Sequence, residues 1–176
     1  MKYFIPELYA RGNSPDEAET AGVEEAWERS LRRYERRWKK IRAAFPQGVR
    51  NFYEAGVCLH DAEVLHLARQ GERFVMVLQP EAPSQTLVIL IFTLTEDAAI
   101  ATNVLPESVA ARRPLWLYEE FDLDPRGLFC FDVLLSNGWE IRLRFRDFEF
   151  LIGQQILSSV DGQTGESADN TATRSA

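Results

Sequence analysis

The chain has 176 residues, of which 45% are hydrophobic and 27% charged, the usage of an ordinary globular protein with a substantial core. Its 27 acidic and 20 basic residues give a net charge of −7, which opposes nonspecific attraction to nucleic acid or anionic membranes. This composition excludes a fibrous or wholly disordered protein and argues against nucleic-acid binding.

The sequence predicts a cytoplasmic protein. Its longest apolar run, residues 87–92, has the length of a strand and falls far short of the roughly 20 residues of a membrane-spanning helix. Pro6 and Glu7 interrupt the apolar start of the chain too early for a signal-peptide core. Without a secretion signal, Cys58 and Cys130 are expected to be two buried free thiols rather than a disulfide.

Residues 14–45 carry the pattern of one long amphipathic helix. Ser14, Pro15 and Glu17 combine an N-cap, a proline at the first helical position and the acidic partner of a capping box. Pro46 predicts that the helix ends at the preceding residue. Apolar residues recur between these limits at helical spacing, on one face: Val23, Trp27, Leu31, Tyr34, Trp38, Ile41 and Phe45.

Basic side chains crowd the second half of this helix, and two interpretations remain open. Acidic residues at the start and basic residues at the end complement the helix dipole, and pairs such as Glu25 and Arg29 add support at four-residue spacing, so the face could simply be solvated. Alternatively, the basic residues form a patch for phosphate or an acidic partner. The candidate binding residues are Arg33, Arg36, Arg37 and Lys40.

From Asp61 onward the pattern changes to that of antiparallel strands. Asn137-Gly138 is a strong hairpin signal, and the run 85–94 is apolar on both faces, which predicts a central strand covered by the long helix. The segment 98–114 reads as a connection with one short strand. The runs rich in β-branched, leucine and aromatic residues are 72–79, 85–94, 117–123, 128–135, 139–146 and 148–152.

The predicted fold class is therefore α+β. A long N-terminal amphipathic helix, with a shorter helix around residues 48–56, packs on an antiparallel sheet of about six to eight strands. We expect a single domain over residues 1–157, followed by a tail at 158–176 whose composition is typical of disorder.

The stretch from Cys58 to Asp61 separates the helical region from the strands and carries the first candidate site. His60 and Asp61 are the candidate catalytic residues, and His60 and His66, the two histidines, are the candidate metal ligands. On a strand, however, His60 and His66 share one face while Asp61 and Glu63 share the other, so four ligands would not converge. The competing interpretation is structural, with either side chain bonding to backbone where the sheet begins.

No cofactor is predicted, and the sequence contains no glycine-rich nucleotide-binding motif. Cys58 also lacks the glycine elbow that would accompany a catalytic nucleophile.

The segment Trp116-Leu117-Tyr118-Glu119-Glu120 is the second cluster. Adjacent strand residues point to opposite faces, so Glu119 and Glu120 would not form one acid–base site, whereas Tyr118, Glu120 and Asp122 would share a face. Trp116, Tyr118 and Glu120 are candidates for contacting a partner. An ordinary charged strand surface is the alternative.

Together, Met1-Lys2-Tyr3-Phe4, the charged helix, Leu59-His60-Asp61 and the segment 116–120 resemble, in this order, a bacterial family of uncharacterised proteins defined as a domain of unknown function. The resemblance would cover most of residues 1–152, and it implies no activity, ligand or catalytic residue. The Leu-His-Asp start of a small β-rich domain also resembles segments of some immunity proteins of bacterial toxin systems.

These features favour a small cytoplasmic bacterial protein that acts by binding another protein, in an immunity-like manner or otherwise. The alternative is a metal-dependent or hydrolytic enzyme centred on His60 and Asp61. The sequence does not determine the oligomeric state.

Overall fold

The computed structural model describes residues 1–81, 86–103 and 113–154. Within these residues, helices α1 to α4 precede strands β1 to β7, which confirms the predicted α+β class with a sheet of six to eight strands. The helices are α1 (Pro6–Gly12), α2 (Glu17–Thr20), α3 (Val23–Ile41), which a short 3-10 turn extends over Arg42–Ala44, and α4 (Gln47–Glu54). The strands are β1 (Glu63–Gln70), β2 (Arg73–Gln79), β3 (Thr86–Leu94), β4 (Ala99–Thr102), β5 (Trp116–Leu123), β6 (Phe129–Leu135) and β7 (Trp139–Gln154).

All strand pairs are antiparallel and form one sheet in the order β1-β2-β3-β7-β6-β5, with β4 paired to the start of β7. The long strand β7 is central to the sheet. On one side it pairs with β3 along residues 145–154 and with β4 along residues 139–142. Strand β6 pairs with residues 140–145 of β7.

The two ends of this strand path meet. Glu63, at the start of β1, forms a bridge with Leu115, just before β5. Around this bridge the Trp116 N–H donates to the Ala62 carbonyl at 2.9 Å, and the Val64 N–H donates to the Pro114 carbonyl at 2.9 Å. The sheet therefore curves until its first and last strands are hydrogen-bonded to each other.

The concave face of the sheet holds the main core. Alternate residues of β3, including Leu90 and Phe92, are fully buried there, as the period of a strand requires. Phe45, Val49 and Phe52 add side chains from the helical region to the same cluster.

Helix α3 lies along β5, the last strand of the path. The Tyr34 hydroxyl accepts a hydrogen bond from the Phe121 N–H at 2.8 Å and shares a 2.6 Å bond with the Tyr53 hydroxyl. The ring of Trp38 also packs 6.4 Å from that of Phe121. Helix α3 thereby supplies a hydrogen-bond acceptor for the backbone of β5 and covers that strand, whose polar backbone groups would otherwise be open to pairing with other chains.

The N-terminal helical region differs from its prediction. The long helix expected over 14–45 is confirmed, but Gly22 adopts a left-handed conformation, with φ of 74°, and divides it into α2 and α3. The N-cap is also two residues later than predicted. The carboxylate of Asp16 accepts from the Ala18 N–H at 2.8 Å, while Ser14 Oγ bonds to the Asp16 N–H and to Glu19. Helix α1, which contains only seven residues, was not predicted.

Other expectations concern the sheet. The short helix expected at 48–56 is confirmed as α4, and the short strand expected after residue 98 is confirmed as β4. Strand β3 pairs with both β2 and β7, which confirms its central position. Residues 139–146 and 148–152 form one strand rather than two, with an irregular register near Phe145. The main sheet contact of α3 is with β5, so covering of β3 by the long helix is not observed. The expected tail at 158–176 lies outside the described residues.

None of the helices in the described ranges is long and apolar enough to cross a membrane.

Gly48→Ala is expected to destabilise the protein by at least about 2 kcal/mol, since α4 lies so close to β7 that a Cβ at this position would overlap the Phe148 carbonyl oxygen. Urea denaturation followed by circular dichroism measures the change. Gly153→Ala is the matched control because its Cβ would meet no atom within 4 Å, so an equal loss in both variants would contradict the close approach.

Candidate functional site

The turn Leu59-His60-Asp61 lies where the sheet meets itself. Leu59 is 2% exposed and belongs to the core, and the Asp61 N–H donates to the Trp116 carbonyl at 2.8 Å. Asp61 has a φ of 62°, in the left-handed region that asparagine and aspartate tolerate better than most residues. The turn therefore anchors the sheet junction through its main chain, whereas the sequence-based interpretation assigned that role to the side chain of His60 or Asp61.

The side chains of the same turn point to solvent. The side chains of His60 and Asp61 are 45% and 47% exposed, and His60 Nδ1 lies 2.7 Å from Asp61 Oδ2. A carboxylate can only accept, so this contact assigns Nδ1 as the donor, which in the neutral tautomer leaves Nε2 as the basic nitrogen. The two candidate catalytic residues thus form an oriented pair.

An aromatic groove adjoins this pair. The ring of Tyr118 on β5 lies 5.2 Å from the His60 ring, 4.3 Å from Trp27 and 6.1 Å from Tyr9. Tyr9, Trp27 and Tyr118 line a cavity of about 400 Å³ between α1, α2 and α3. Burial, Tyr9 and Asp61 together raise the pKa of Tyr118, so its hydroxyl remains protonated at neutral pH.

The second candidate metal ligand, His66, lies within β1 and pairs with Val77 of β2. Glu63 forms an ion pair with Arg113 at 3.7 Å. In the described part of the chain, no three or more histidine, cysteine, aspartate and glutamate side chains are grouped as metal ligands.

Both cysteines are free, but only Cys130 is buried, so the expectation of two buried thiols is wrong for Cys58. The main chain of Cys58 precedes the turn at the sheet junction, and its side chain does not enter the core as that of Leu59 does. Burial raises the pKa of the Cys130 thiol to about 11.

The four candidate basic residues lie together on α3. Arg33, Arg36, Arg37 and Lys40 line an open cavity of about 260 Å³ with Tyr3, and we refer to these four residues as the basic face. Arg37 Nε bonds to Asp122 Oδ1 at 2.6 Å, and the Arg33 guanidinium lies 5.7 Å from the centre of the Tyr3 ring. Although partial burial opposes it, the hydrogen bond from Arg37 helps to lower the pKa of Asp122.

Glu120 has an internal role. It is only 3% exposed, and its carboxylate accepts hydrogen bonds from the N–H groups of Lys2, Tyr3 and Phe4 at 2.9, 2.6 and 2.7 Å. Burial raises the pKa of Glu120, although the three N–H groups act in the opposite direction. The sequence placed Glu120 on a surface, but the N-terminal segment covers it and the carboxylate fixes that segment to β5.

Trp116 is likewise inaccessible as a binding residue. Its side chain is fully buried in the core, where Nε1 donates to Glu119 Oε2 at 2.7 Å. Tyr118 remains partly exposed in the groove. Of the three candidates Trp116, Tyr118 and Glu120, it is therefore the one that can contact a ligand.

Sequence reasoning did not identify Tyr9 and Trp27 as groove residues. Tyr9 lies on the unpredicted helix α1, and Trp27 was assigned to the buried stripe of the long helix. Their only common signal is aromatic character, which does not distinguish a groove from a core.

Neither the protein-family models nor the curated proteins include a match to this chain. The family resemblance therefore rests on its motifs and stays a prediction.

Glu120→Ala is expected to lower the free energy of unfolding by about 2–4 kcal/mol, because three backbone N–H groups lose a charged acceptor. Denaturant titration of the variant and of Glu35→Ala, which removes an exposed carboxylate from α3, measures the difference. Similar small changes in both would show that Glu120 does not anchor the N-terminal segment.

Proposed function

We propose that this protein acts in the cytoplasm by binding another protein, and that the basic face of α3 contacts acidic side chains of that partner. The observation that carries the proposal is that Arg36 and Lys40 are unpaired within the described residues. These cations lie one helical turn apart at a cavity, and neither forms an ion pair with any residue in the described ranges.

The first half of α3 differs in this respect. Arg29 pairs with Glu25 at 2.6 Å, and Arg32 pairs with Glu28 at 2.9 Å, each at the four-residue spacing that stabilises a helix. Self-pairing therefore accounts for the early cations but leaves Arg36 and Lys40 without an ion-pair partner in the described part of the chain, which supports a role in recognition.

The surroundings of the basic face favour a preformed site. Arg37 is held by Asp122, and the adjacent Tyr3 is held through its N–H by Glu120. A surface whose side chains are already ordered loses less conformational entropy when a partner binds. Carboxylates spaced by one turn of a partner helix would match the separation of Arg36 and Lys40.

A protein partner fits this face better than a nucleic acid does. Single-stranded nucleic acids are bound through exposed aromatic rings on which bases stack, but Tyr3 and Tyr34, the rings behind the basic face, are only 6% and 7% exposed. The net charge of −7 also repels a polyanion at longer range. An immunity-like role, with a toxin as the partner, is one form of this proposal and rests on the Leu59-His60-Asp61 resemblance.

Fluorescence anisotropy of a labelled oligoglutamate peptide tests the charge recognition. We expect the wild-type protein to bind and to bind more weakly as salt increases, and the double variant Arg36→Glu, Lys40→Glu to lose at least about tenfold in affinity. The matched control, Arg32→Glu with Lys39→Glu, makes the same change of charge on α3 outside the cavity and should retain binding.

Equal losses in the two double variants, or no binding by the wild type at low salt, would refute the proposal. A labelled single-stranded DNA of equal charge provides a second arm. Tighter binding of the DNA, abolished by the same Arg36 and Lys40 substitutions, would replace a protein partner with a nucleic acid.

A second candidate function is hydrolysis at the pair His60 and Asp61, with or without a bound metal. It is favoured by the 2.7 Å contact that orients the imidazole and by the aromatic groove beside it. In this proposal, Nε2 of His60 takes a proton from a water whose oxygen bonds to the carbonyl carbon or phosphorus of a substrate in the groove. Asp61 stabilises the imidazolium, which returns the proton to the leaving-group oxygen as its bond breaks.

His60→Asn is expected to abolish hydrolysis of p-nitrophenyl esters or phosphates by the wild-type protein, measured with and without added zinc or manganese. His66→Asn, which removes the other histidine from β1, is the control and should leave the rate without added metal unchanged. Rates that are equal in the wild type and His60→Asn would exclude His60 as the base for these substrates.

A further inference from the structure

The convex face of the sheet carries an apolar surface where an antiparallel sheet with one solvated face usually has polar residues. In β2 and β3, buried residues alternate with partly exposed ones, and the partly exposed residues are aligned across the strands. Val75 pairs with Ile91, and Val77 pairs with Ile89, which in turn pairs with Leu151 of β7. We call this surface the outer aliphatic patch; it comprises Val75, Val77, Leu87, Ile89, Ile91 and Leu151.

The patch is separate from the core. Leu151 is 56% exposed, and none of the six side chains belongs to either buried hydrophobic cluster of the described residues. Because contiguous apolar surface of this kind is uncommon on monomeric soluble proteins, it indicates an interface.

Beside the patch, Glu72 and Arg146 form an ion pair with each other, and the charges that remain unpaired among the described residues have opposite signs on its two sides. Arg73 of β2 pairs with Thr93 of β3, which pairs with Asp147 of β7, so the three residues form one row across the sheet. Glu149 lies in the next row, opposite Ile91. Arg73, Asp147 and Glu149 are exposed, and none forms an ion pair within the described ranges. In its unpaired charges, the patch therefore has a basic side on β2 and an acidic side on β7.

We propose that two copies of this protein associate through the outer aliphatic patch, with a two-fold axis that lies between the sheets and runs parallel to β3. A rotation about this axis places β2 of one copy over β7 of the other and keeps each row at its own height along the strands. Arg73 of each copy then faces Asp147 and Glu149 of the second copy, while the aliphatic rows meet between the sheets.

This arrangement follows the ordinary geometry of sheet packing. Two sheets stack about 10 Å apart with their strand directions within roughly 30°, so residues in the same row remain neighbours across the interface. The two-fold symmetry forms every contact twice. Opposite charges on the two sides make the surface complementary to itself, which is why a second copy fits better than an unrelated chain.

The dimer involves β2, β3 and β7, whereas the proposed contact with an acidic partner involves α3. The two proposals therefore stand on different residues, and either can fail while the other holds.

Sedimentation equilibrium of the full chain, over a range of protein concentrations, tests the dimer. We expect wild-type dimers and an increase of about 100-fold in the dissociation constant for Ile89→Lys, which puts a charge at the centre of the patch. Ile100→Lys is the matched control, since Ile100 is 54% exposed on β4 outside the patch, and it should dimerise like the wild type. Leu151→Lys replaces Ile89→Lys if circular dichroism shows that the latter does not fold.

Exchanging the charges on the two sides of the patch tests the relative orientation of the two copies. Arg73→Glu alone should weaken the dimer by about tenfold, because it places three acidic groups together, and adding Asp147→Arg and Glu149→Arg should restore it. A wild-type protein that is monomeric at every concentration, or a dimer that Ile89→Lys and Leu151→Lys leave intact, would overturn the proposal. A dimer that the charge exchange does not restore would overturn the two-fold arrangement.

Discussion

The closure of the sheet on itself is the constraint on which the other features depend. Backbone hydrogen bonds join residues 61–64 to residues 114–116, so the first and last strands of the path are held together. The chain enters this junction through a turn in which Leu59 is buried and Asp61 has a positive φ. Closure therefore requires a local backbone conformation that most residues adopt only with strain, and it brings His60 against Tyr118.

The outside of β5 is organised by a second set of contacts. Glu120 holds the N-terminal segment by three N–H groups, and Tyr34 of α3 accepts the N–H of Phe121 from the same strand. Phe4 fills the space between these two anchors, where its ring contacts both Trp27 and Tyr34. As a result, α3 is fixed in position, and Arg36 and Lys40 lie beside the N-terminal segment. The position of the basic face therefore depends on the contacts of β5 as well as on the helix that carries its residues.

Three surfaces with different chemistry follow from this arrangement. The basic face on α3 presents cations, the groove beside His60 presents aromatic rings and an oriented imidazole, and the outer aliphatic patch presents apolar rows on β2, β3 and β7. The groove and the basic face share α3 but use different residues of it, and the patch lies on other elements, so binding at one surface does not require the residues of another. Apolar rows on the solvated side of a sheet are costly to leave exposed, whereas a basic helix surface is not. The outer aliphatic patch is therefore the stronger sign of an interface, and the basic face is the weaker one.

The sequence by itself determined the elements whose signals are local. The strand runs, the Asn137-Gly138 hairpin and the short helix near residue 48 follow from side-chain period and turn chemistry, and the α+β class follows from their order. The clustering of Arg33, Arg36, Arg37 and Lys40 also follows, since helical spacing alone places them together. Only the tertiary structure decided that Glu120 and Trp116 are internal, that Asp61 bonds to the backbone of Trp116, and that Tyr9 and Trp27 line a groove with Tyr118. Each of these depends on which strands become neighbours and where the sheet closes, and such long-range pairing is set by the packing of the whole chain rather than by local patterns.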